Sequence, residues 1–380
     1  HEVQERRIDG MKIMFVAGGT GGHINPAVAV ANEVKRLEPN AEILFVGTEG
    51  RMETQIVPKA GFSIKTLKMN GFSRSMSFAG IKQNLETAYL TLKASGDAKK
   101  IISEFGPDVV VGFGGYVTGP VLRTAAKMGI KTAIHEQNAF PGVANKALAK
   151  LVDKVMLTSA AAEKYMKCKN PPVVTGLPVR REIIKTDRDF ARATLGLKND
   201  DMLVLSMGGS LGADAINNAV VTMLTNLKDE KNICFLHSTG KYGKWVGEKL
   251  TENGVSYGKG TNIEIREYID NMDICLPACD LVISRAGASS ISEIAILGKP
   301  SILIPSPNVA ENHQYHNAMT LASNDGAILI EEKNLDGEIL AKTVQDLKNN
   351  PGKLNEISSN ALKNAKSNAL SEICRIIMNL

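Results

Sequence analysis

Gly18-Gly19-Thr20-Gly21-Gly22-His23 is a glycine-rich stretch that directly follows the apolar run Ile13–Ala17. The run is short and mostly β-branched or aromatic, which predicts a buried strand. Asn25-Pro26 opens an alternation of apolar and polar residues up to Leu37, which predicts a helix with proline at its first position. The glycines are therefore interpreted as a strand-to-helix turn whose backbone N–H groups can approach an anion closely.

The turn does not match the dinucleotide-binding fingerprint. With Gly19 and Gly21 as the first two glycines of that pattern, the third would fall on Ile24. A standard nicotinamide site is therefore not expected. His23 is the one titratable side chain of the stretch, and it is either a functional group or a local cap of a turn that serves only packing.

Composition bounds the class of protein. The chain has 380 residues, of which 43% are hydrophobic and 22% charged, so two globular domains with real cores are expected. Five scattered cysteines complete no zinc site and indicate a reducing cytoplasm. No apolar run reaches the roughly 18 residues of a membrane span. The net charge of +5 allows an anionic substrate or membrane surface without requiring one.

Strand and helix patterns alternate along the whole chain, which predicts an α/β fold with doubly wound parallel sheets. The first domain is assigned to residues 11–176, because the polar segment His1–Gly10 precedes Met11 and is interpreted as lying outside the fold. Residues 177–189 are charged, lack periodicity and are interpreted as a linker. The second domain is assigned to 190–380, and its last part, Leu335–Leu380, is predicted to form two helices.

Polar clusters follow several predicted strands of the first domain. Besides Thr20–His23, Tyr116 lies in the glycine cluster Gly112–Gly119, and His135-Glu136-Gln137-Asn138 follows the strand Thr132–Ile134. Since doubly wound sheets bind ligands at the carboxyl ends of their strands, these clusters are expected to converge on one crevice.

The second domain repeats this opening pattern. The strand Met202–Ser206 is followed by the glycine turn Gly208–Gly212, which contains Ser210 and leads into a helix. Two similar units are expected to face each other across a deep ligand-binding cleft.

A second candidate anion site follows the strand Leu281–Ser284. The turn containing Ala288, Ser289 and Ser290 is predicted to begin a helix there, with free N–H groups suited to a diphosphate. Glu293, one turn further on, could accept two hydrogen bonds from a ribose diol, or it could cap its own helix. Gln314 lies in a dense polar run that suits a hydroxyl-rich ligand or a solvated loop.

One segment of the first domain combines apolar and cationic residues. A glycine- and serine-rich stretch carries apolar side chains beside Lys68, Arg74 and Lys82, a mixture that suits contact with an anionic membrane surface or ordinary packing. The apolar residues are Phe72, Met76, Phe78 and Ile81.

These residues together resemble a known family. G-G-T-G-G-H, G-G-Y, H-E-Q-N, G-x-P-V-R at Gly176–Arg180, G-G-S-x-G-A, S-R-x-G-A with a later S-E, and H-Q occur in this order. From Met11 onward the chain resembles the MurG-type N-acetylglucosaminyltransferases of glycosyltransferase family 28. The resemblance implies a two-domain GT-B fold and allows the final helix to return to the first domain. It also implies an inverting transfer of N-acetylglucosamine from UDP-GlcNAc to lipid I, giving lipid II and UDP in peptidoglycan synthesis.

The resemblance assigns residue roles by position. Donor-binding residues fall on Thr20, Gly21, Gly22, Asn138, Arg180, Ser210, Ile269, Ala288, Ser289, Ser290, Glu293 and Gln314. Ile269 would meet the uracil through its backbone, Glu293 the ribose, and Gln314 with Asn138 the sugar hydroxyls. Gly19 and Tyr116 are assigned to the acceptor.

Inversion by direct displacement requires a base that takes the proton of the acceptor hydroxyl. His23 is the first candidate, because imidazole is the side chain that titrates nearest to neutral pH. Glu136 and a substrate-bound water are the alternatives. Helix N-termini and Arg180 would meet the charge of the leaving diphosphate, so no metal and no cofactor are expected. Two positions depart from the family pattern, Leu211 and His313, where other members carry glutamine.

The resemblance further implies a peripheral location at the cytoplasmic membrane face. The expected partners are UDP-GlcNAc, lipid I, anionic lipid and other cell-wall enzymes, with no nucleic acid. Two other classes stay open. One is a different enzyme on the same fold, either a family 28 glycolipid synthase or a UDP-GlcNAc epimerase. The other is a nucleotide-sugar-binding module without turnover.

Overall fold

The computed structural model describes residues 10–69 and 78–380, and the side chains of 78–89 are not among those described. The chain divides into two compact units, one of His1–Pro178 with Asn368–Leu380 and one of Val179–Ser367. The range 177–189, expected to be a linker, contains a short helix, Arg181–Lys185, and the first residues of the next one.

Unit 1 is built on a seven-stranded, all-parallel sheet in the order β3-β2-β1-β4-β5-β6-β7. Its strands are β1 Lys12–Ala17, β2 Glu42–Thr48, β3 Ser63–Leu67, β4 Val109–Gly114, β5 Lys131–Glu136, β6 Lys154–Leu157 and β7 Val173–Val174. Its helices are α1 Gly21–Leu37, α2 Glu53–Lys59, α3 Phe78–Phe105, α4 Thr118–Lys127 and α5 Val143–Leu148.

Unit 2 repeats the plan with six parallel strands in the order β10-β9-β8-β11-β12-β13. Its strands are β8 Met202–Met207, β9 Ile233–Ser238, β10 Ile263–Arg266, β11 Leu281–Ser284, β12 Ser301–Leu303 and β13 Ile328–Leu329. Its helices are α6 Arg181–Lys185, α7 Arg188–Thr194, α8 Asp214–Leu227, α9 Trp245–Glu252, α10 Met272–Ala278, α11 Ala288–Ile296, α12 His313–Ala322, α13 Gly337–Lys348 and α14 Pro351–Leu362.

Both sheets are covered on both faces, as the alternation of buried side chains shows. In β1, Ile13 and Phe15 pack into one apolar cluster, while Met14 and Val16 pack into another. Successive side chains of a strand point to opposite faces, so a strand buried on both sides reads as a continuous apolar run. This arrangement confirms the predicted doubly wound α/β class.

The last helix, α15 Ala369–Met378, belongs to unit 1. Its buried side chains, among them Ile373 and Ile377, join the apolar cluster that covers α1. The prediction of two helices in Leu335–Leu380 is wrong, since α13, α14 and α15 all lie there. Only Asn349 and Asn350 separate the first two, and proline at the start of α14 makes so short a break possible.

The start of α1 also differs from the prediction. The helix begins at Gly21 and contains Pro26, which is buried in its sixth position. Pro26 was expected at the first position because proline is favoured there, but the glycines themselves take up helical geometry. His23 is therefore the third residue of the helix and not the last residue of a loop.

In the described part of the chain, no helix is both long enough and apolar enough to cross a membrane. The predicted membrane-contact residues Phe72 and Met76 lie outside the described residues, as do the side chains of Phe78 and Ile81.

Candidate functional site

The carboxyl ends of the central strands carry the candidate residues in each unit. In unit 1 the chain adds strands toward one edge of the sheet from β1 to β3 and toward the other edge from β4 onward. In unit 2 the same change of direction lies between β8 and β11. Doubly wound sheets bind ligands at this reversal, where the two neighbouring crossover connections leave in opposite directions. The turns after these four strands are Gly18–Thr20, Gly115–Val117, Gly208–Ala213 and Arg285–Gly287.

In unit 1 the turns after β1 and β4 pack directly against each other. The backbone N–H of Gly18 donates to the carbonyl of Gly114 over 3.2 Å. Gly114 has a φ of +109°, and a Cβ there would lie 2.9 Å from Nε2 of His23 and 2.7 Å from its Cδ2. Gly115 is equally constrained, since its Cβ would lie 2.5 Å from the carbonyl oxygen of Gly18. The G-G-Y motif therefore provides the space that the His23 ring occupies.

The His23 ring is oriented by a backbone carbonyl. Its Nδ1 lies 3.0 Å from the carbonyl oxygen of Gly18 and 3.3 Å from Oγ1 of Thr20. A carbonyl only accepts hydrogen bonds, so Nδ1 carries the proton in this arrangement. The lone pair of the neutral ring is then on Nε2, which can take a proton from a substrate.

The start of α1 offers two free donors beside His23. Thr20 is the N-cap, but its side chain does not cap the helix, and the first turn contains no acidic residue. Within the described residues, the N–H groups of Gly21 and Gly22 donate to no protein acceptor. Such N–H groups at the positive end of a helix suit an anion or a sugar hydroxyl. Gly19 and Thr20 are exposed beside them, as is Tyr116 after β4.

Glu136 is buried and its two carboxylate oxygens are occupied. Oε1 accepts from the backbone N–H of Asn138 over 2.9 Å, and Oε2 accepts from Asn145 over 2.8 Å and from the N–H of Gly142 over 3.1 Å. This carboxylate therefore organises the loop between β5 and α5, including the half-buried Asn138.

The neighbouring His135 is fully buried and neutral. Its Nε2 donates to the carbonyl of Gly176 over 2.9 Å, Nδ1 accepts from Gln137, and the ring stacks on Phe113. Burial lowers the pKa of His135 to about 4, and the bond to Gly176 only partly opposes this effect. These contacts make His135 a structural residue.

In unit 2 no side chain of the described residues caps the start of α11. The N-cap is Gly287, the first turn contains no acidic residue, and Ile291 is the first helical residue whose N–H donates to the chain, to the carbonyl of Gly287. Among the described residues, no acceptor meets the N–H groups of Ala288, Ser289 and Ser290. Three free donors at a helix N-terminus after a central strand are suited to a diphosphate.

Glu293 and Arg180 form an ion pair beside this helix start. Nη2 of Arg180 lies 3.4 Å from Oε1 of Glu293, and the Glu293 side chain is 15% exposed. Burial raises the pKa of the Glu293 carboxyl above its ordinary value, and the guanidinium of Arg180 opposes part of that rise. The hydrogen bond found for Glu293 is the one to Arg180, and among the described residues no carboxylate accepts from the first N–H groups of α11.

The other predicted donor residues lie at the same edge of the unit 2 sheet. Ser210 is exposed, and its carbonyl accepts from the N–H of Lys241 over 3.2 Å. The side chain of Ile269 is buried in the core, while its backbone N–H and carbonyl form no hydrogen bond to described residues. Oε1 of Gln314 accepts from the N–H of Ser306 over 3.0 Å, which fixes the amide at the start of α12.

A buried network supports the glycine turn of unit 2 and escaped the sequence analysis. Oγ of Ser206 lies 2.8 Å from Nδ1 of His237, whose Nε2 lies 3.1 Å from Oδ1 of Asn217, and Nδ2 of Asn217 donates to the carbonyl of Thr239. Burial lowers the pKa of His237 to about 4. Serine, histidine and asparagine resemble a hydrolytic triad, but Ser206 is only 2% exposed, so no substrate can reach its hydroxyl.

Two further supporting residues escaped the sequence analysis. Glu53 is completely buried and accepts hydrogen bonds from the backbone of Thr48 and Gly19. Asn317 is buried and donates to the carbonyl of Ala286, directly before α11. Neither residue could be found from periodicity or spacing, because its partner is a distant backbone atom. Asn317 and Ala286 are 31 positions apart, and Glu53 and Gly19 are 34 positions apart.

Within the described residues, no group of three or more His, Cys, Asp or Glu side chains could hold a metal ion. The carboxylate pair Asp187 and Asp189 lies at the start of α7, where Asp187 caps the helix by accepting from the N–H of Phe190.

Two family models match the chain. The glycosyltransferase family 28 N-terminal domain matches residues 13–157, and the glycosyltransferase family 28 C-terminal domain matches residues 203–373. Together these ranges span more than half of the chain and contain both glycine turns.

Curated relatives are similar over nearly the whole length. The chain is 42% identical over 372 residues to a protein of Acetivibrio thermocellus, which covers 97% of this chain and 98% of that relative. It is 41% identical over 368 residues to a protein of Desulforamulus reducens, with coverages of 97% and 98%. Each relative is named a UDP-N-acetylglucosamine–N-acetylmuramyl-(pentapeptide) pyrophosphoryl-undecaprenol N-acetylglucosamine transferase.

Solved structures agree on the fold. The crystal structure of Acinetobacter baumannii MurG is similar with a TM-score of 0.77 at 26% identity, over 97% of this chain and 100% of that one. A UDP-GlcNAc 2-epimerase from Neisseria meningitidis, solved with UDP-GlcNAc bound, has a TM-score of 0.66 at 12% identity, over 97% of this chain and 100% of that one. At that identity the second likeness shows the fold alone.

Proposed function

The chain belongs to glycosyltransferase family 28, and from this premise we propose that it transfers N-acetylglucosamine from UDP-GlcNAc to lipid I, giving lipid II and UDP in peptidoglycan synthesis. The observation that carries this assignment is the identity of 41–42% over 97% of the chain to curated transferases of that specificity. The protein is accordingly a UDP-GlcNAc-dependent hexosyltransferase with the two-domain GT-B fold.

The transfer is proposed to be an inverting displacement at the anomeric carbon. The acceptor hydroxyl oxygen forms the new bond to that carbon while a base takes the hydroxyl proton. The bond from the anomeric carbon to the diphosphate oxygen breaks, and its electron pair leaves with UDP. The protein must therefore supply a proton acceptor and donors for the developing negative charge.

His23 is the proposed base. Its Nδ1–H is engaged by the carbonyl of Gly18, which leaves the Nε2 lone pair available for the hydroxyl proton. Glu136 is the second candidate, but its oxygens already accept hydrogen bonds from Asn138, Gly142 and Asn145. This difference in available lone pairs favours His23.

The donor nucleotide is proposed to bind at the carboxyl edge of the unit 2 sheet. The free N–H groups at the start of α11 and the exposed Ser210 would hold the diphosphate, with Arg180 contributing positive charge. The backbone of Ile269, which forms no hydrogen bond to the described residues, would recognise the uracil, and Glu293 would accept hydrogen bonds from the ribose diol. Gln314 in unit 2 and Asn138, Thr20, Gly21 and Gly22 in unit 1 complete the proposed donor contacts.

The acceptor and membrane contacts are proposed for unit 1. Gly19 and Tyr116 lie at the same strand ends as His23 and would meet the acceptor. Phe72, Met76, Phe78 and Ile81 would dock on the anionic cytoplasmic face of the membrane, where lipid I and other cell-wall enzymes would be reached.

A transfer assay tests the proposed function. The protein is incubated with radiolabelled UDP-GlcNAc and a lipid I analogue, and lipid-bound label and released UDP are measured together. The expected result is label in the lipid product with an equal amount of UDP. Transfer to diacylglycerol instead would favour a glycolipid synthase. Formation of the 2-epimer of the donor without lipid would favour an epimerase, and binding without turnover would reduce the chain to a nucleotide-sugar-binding module.

A further inference from the structure

A completely buried carboxylate lies directly beneath the first glycine turn. Glu53 is the first residue of α2, and none of its surface is exposed. Oε1 accepts from the backbone N–H of Thr48 over 2.8 Å, and Oε2 accepts from the backbone N–H of Gly19 over 3.2 Å. Both oxygens therefore act as acceptors, the role of an ionised carboxylate.

Two glycines make room for this side chain. A Cβ on Gly18 would lie 2.7 Å from Oε1 of Glu53, and a Cβ on Gly47 would lie 2.6 Å from its Cγ. Any larger residue at either position would displace the carboxylate. The ends of β1 and β2 are thus shaped around Glu53. Burying a charge is costly unless hydrogen bonds compensate it, and Glu53 accepts two from the backbone.

The peptide group between Gly18 and Gly19 connects Glu53 to His23. Its N–H, on Gly19, donates to Glu53, and its carbonyl, on Gly18, accepts from Nδ1–H of His23 over 3.0 Å. Both bonds involve one planar, conjugated group, so each polarises the group in the direction that strengthens the other. The carboxylate of Glu53 and the imidazole of His23 are therefore linked through a single peptide group, with the negative charge on the side opposite the ring.

We propose that Glu53 is the positioning residue of His23, acting through the Gly18–Gly19 peptide. This inference rests on the proposed function, in which His23 is the base. Glu53 holds the carbonyl of Gly18 in place, which keeps the proton on Nδ1 and the lone pair on Nε2. When Nε2 takes the hydroxyl proton, the ring becomes positively charged, and the polarised carbonyl stabilises it. The Nδ1 proton stays on the ring throughout.

A double-mutant cycle with Glu53→Gln and His23→Ala tests this connection. Glu53→Gln removes the charge and leaves one oxygen to accept, so one of the two backbone N–H groups, on Thr48 or Gly19, loses its acceptor. We expect kcat to fall about tenfold, the factor of one charged hydrogen bond, with the KM for UDP-GlcNAc unchanged. Adding Glu53→Gln to His23→Ala should change kcat by less than about twofold, because the residue it supports is gone. An equal loss in both backgrounds, or a rise in KM alone, would overturn the proposal.

The tautomer of His23 gives a readout that does not depend on activity. In protein labelled with ¹⁵N-histidine at pH 8, the His23 ring is identified by its absence from His23→Ala. We expect it to be protonated on Nδ1 in the parent and to shift toward the Nε2–H form in Glu53→Gln. If His23→Ala retains turnover while Glu53→Gln shifts the His23 tautomer as expected, the proposed base is wrong. The hydrogen-bonded connection from Glu53 through the Gly18–Gly19 peptide to His23, called the relay below, then stands. If His23→Ala is inactive but Glu53→Gln changes neither tautomer nor kcat, the relay is wrong.

Asp153→Asn is the matched control in the same unit. Asp153 also accepts a backbone N–H, that of Thr132 over 3.0 Å, but at the start of β5 and without contact to His23. Its variant should melt at a lower temperature and keep the kcat and the tautomer of the parent. Glu53→Asp, which retains the charge, should recover part of the kcat lost in Glu53→Gln, and it serves as the test variant if Glu53→Gln does not fold. A Glu53→Asp variant with no more activity than Glu53→Gln, or a Glu53→Gln variant that matches Asp153→Asn in all readouts, assigns Glu53 a purely structural role.

Discussion

The available lone pair of His23 is the residue-scale feature from which the proposed chemistry starts. A base of this kind contributes about 10²–10⁴-fold to the rate, so His23→Ala should lower kcat by at least about 100-fold. UDP affinity should stay unchanged, because the proposed nucleotide contacts belong to unit 2. Steady-state kinetics and titration calorimetry on one preparation measure both quantities.

Thermal unfolding of the same His23→Ala preparation is the control. The ring forms its hydrogen bond at a half-exposed position, so its loss should cost only about 1 kcal/mol of unfolding free energy. A variant that keeps kcat within a factor of three of the parent would remove His23 as the base and make Glu136 the next residue to test.

Glu293 supports a second residue-scale prediction. Glu293→Ala should weaken UDP binding by about tenfold to a hundredfold, because a hydrogen bond to a charged group contributes about 1.5–3 kcal/mol. Calorimetry with UDP measures the change. The matched control is Glu230→Ala, which breaks a carboxylate–Lys348 pair elsewhere in unit 2 and should leave UDP affinity unaltered. Equal affinities for the Glu293 variant and the parent would refute the ribose contact.

At the scale of elements, the last residue of β4, Gly114, determines where α1 can place its third residue. Gly114→Ala would put a Cβ against the His23 ring and force alanine into a left-handed conformation. The left-handed conformation costs about 1–2 kcal/mol of stability. Displacement of the ring should in addition reduce kcat by roughly tenfold to a hundredfold, since small misplacements of catalytic groups have effects of this size.

Gly129→Ala separates the two effects of Gly114→Ala. Gly129 follows α4 with a φ of +76°, and a Cβ there would meet nothing within 4 Å. Gly129→Ala should therefore show the loss of stability caused by the backbone alone in urea unfolding, and Gly114→Ala should lose at least as much. Only Gly114→Ala should lose kcat. If both retain kcat, the contact between the turn and the ring does not matter for turnover.

At the scale of the whole molecule, one buried neutral histidine in each unit makes stability depend on pH. The pKa values of His135 and His237 are lowered to about 4 by burial, so the unfolded chain binds more protons than the folded one between about pH 6.5 and 4. Stability should be full above pH 6.5 and fall as the pH is lowered, by up to roughly 3 kcal/mol for each histidine. Urea unfolding from pH 7.5 to 4.5 measures the slope.

His135→Gln and His237→Gln should each flatten this pH dependence. His313→Gln is the control for the loss of a histidine as such, because that ring is only partly buried and, among the described residues, forms one hydrogen bond, to the carbonyl of Ala310. A slope that survives in the double variant of His135 and His237 would place the pH dependence in other groups.

Membrane docking is a further prediction for the whole molecule. Replacing Phe72 and Phe78 by serine should abolish sedimentation with anionic vesicles, since docking combines apolar insertion with charge attraction and weakens with salt. Phe190→Ser is the matched control, because Phe190 is 62% exposed in unit 2 and belongs to no proposed membrane contact. Vesicle binding that is unaffected by the double serine variant would show that these aromatic residues have another role.

The sequence by itself determined the architecture and the edge of each sheet at which to look. Continuous apolar runs such as Ile13–Ala17 reveal strands buried on both faces, and the glycine turns that follow them mark the strand ends. Both signals are local, because periodicity and turn chemistry depend on residues that are neighbours in the chain. The ordered motifs were also sufficient to indicate family 28.

Only the tertiary structure decided how the candidate side chains are held. The helix start at Gly21 overrides a local preference, that of proline for the first helical position. The other features join residues that are distant in sequence: Gly114 with His23, Arg180 with Glu293, and Glu53 with Gly19. When a side chain hydrogen-bonds to a backbone atom, the residue that contributes the backbone atom can be of almost any type, so the sequence does not reveal the partner. The lone pair on Nε2 of His23 therefore depends on how the ends of β1, β2 and β4 pack together. No single segment of the sequence encodes that packing.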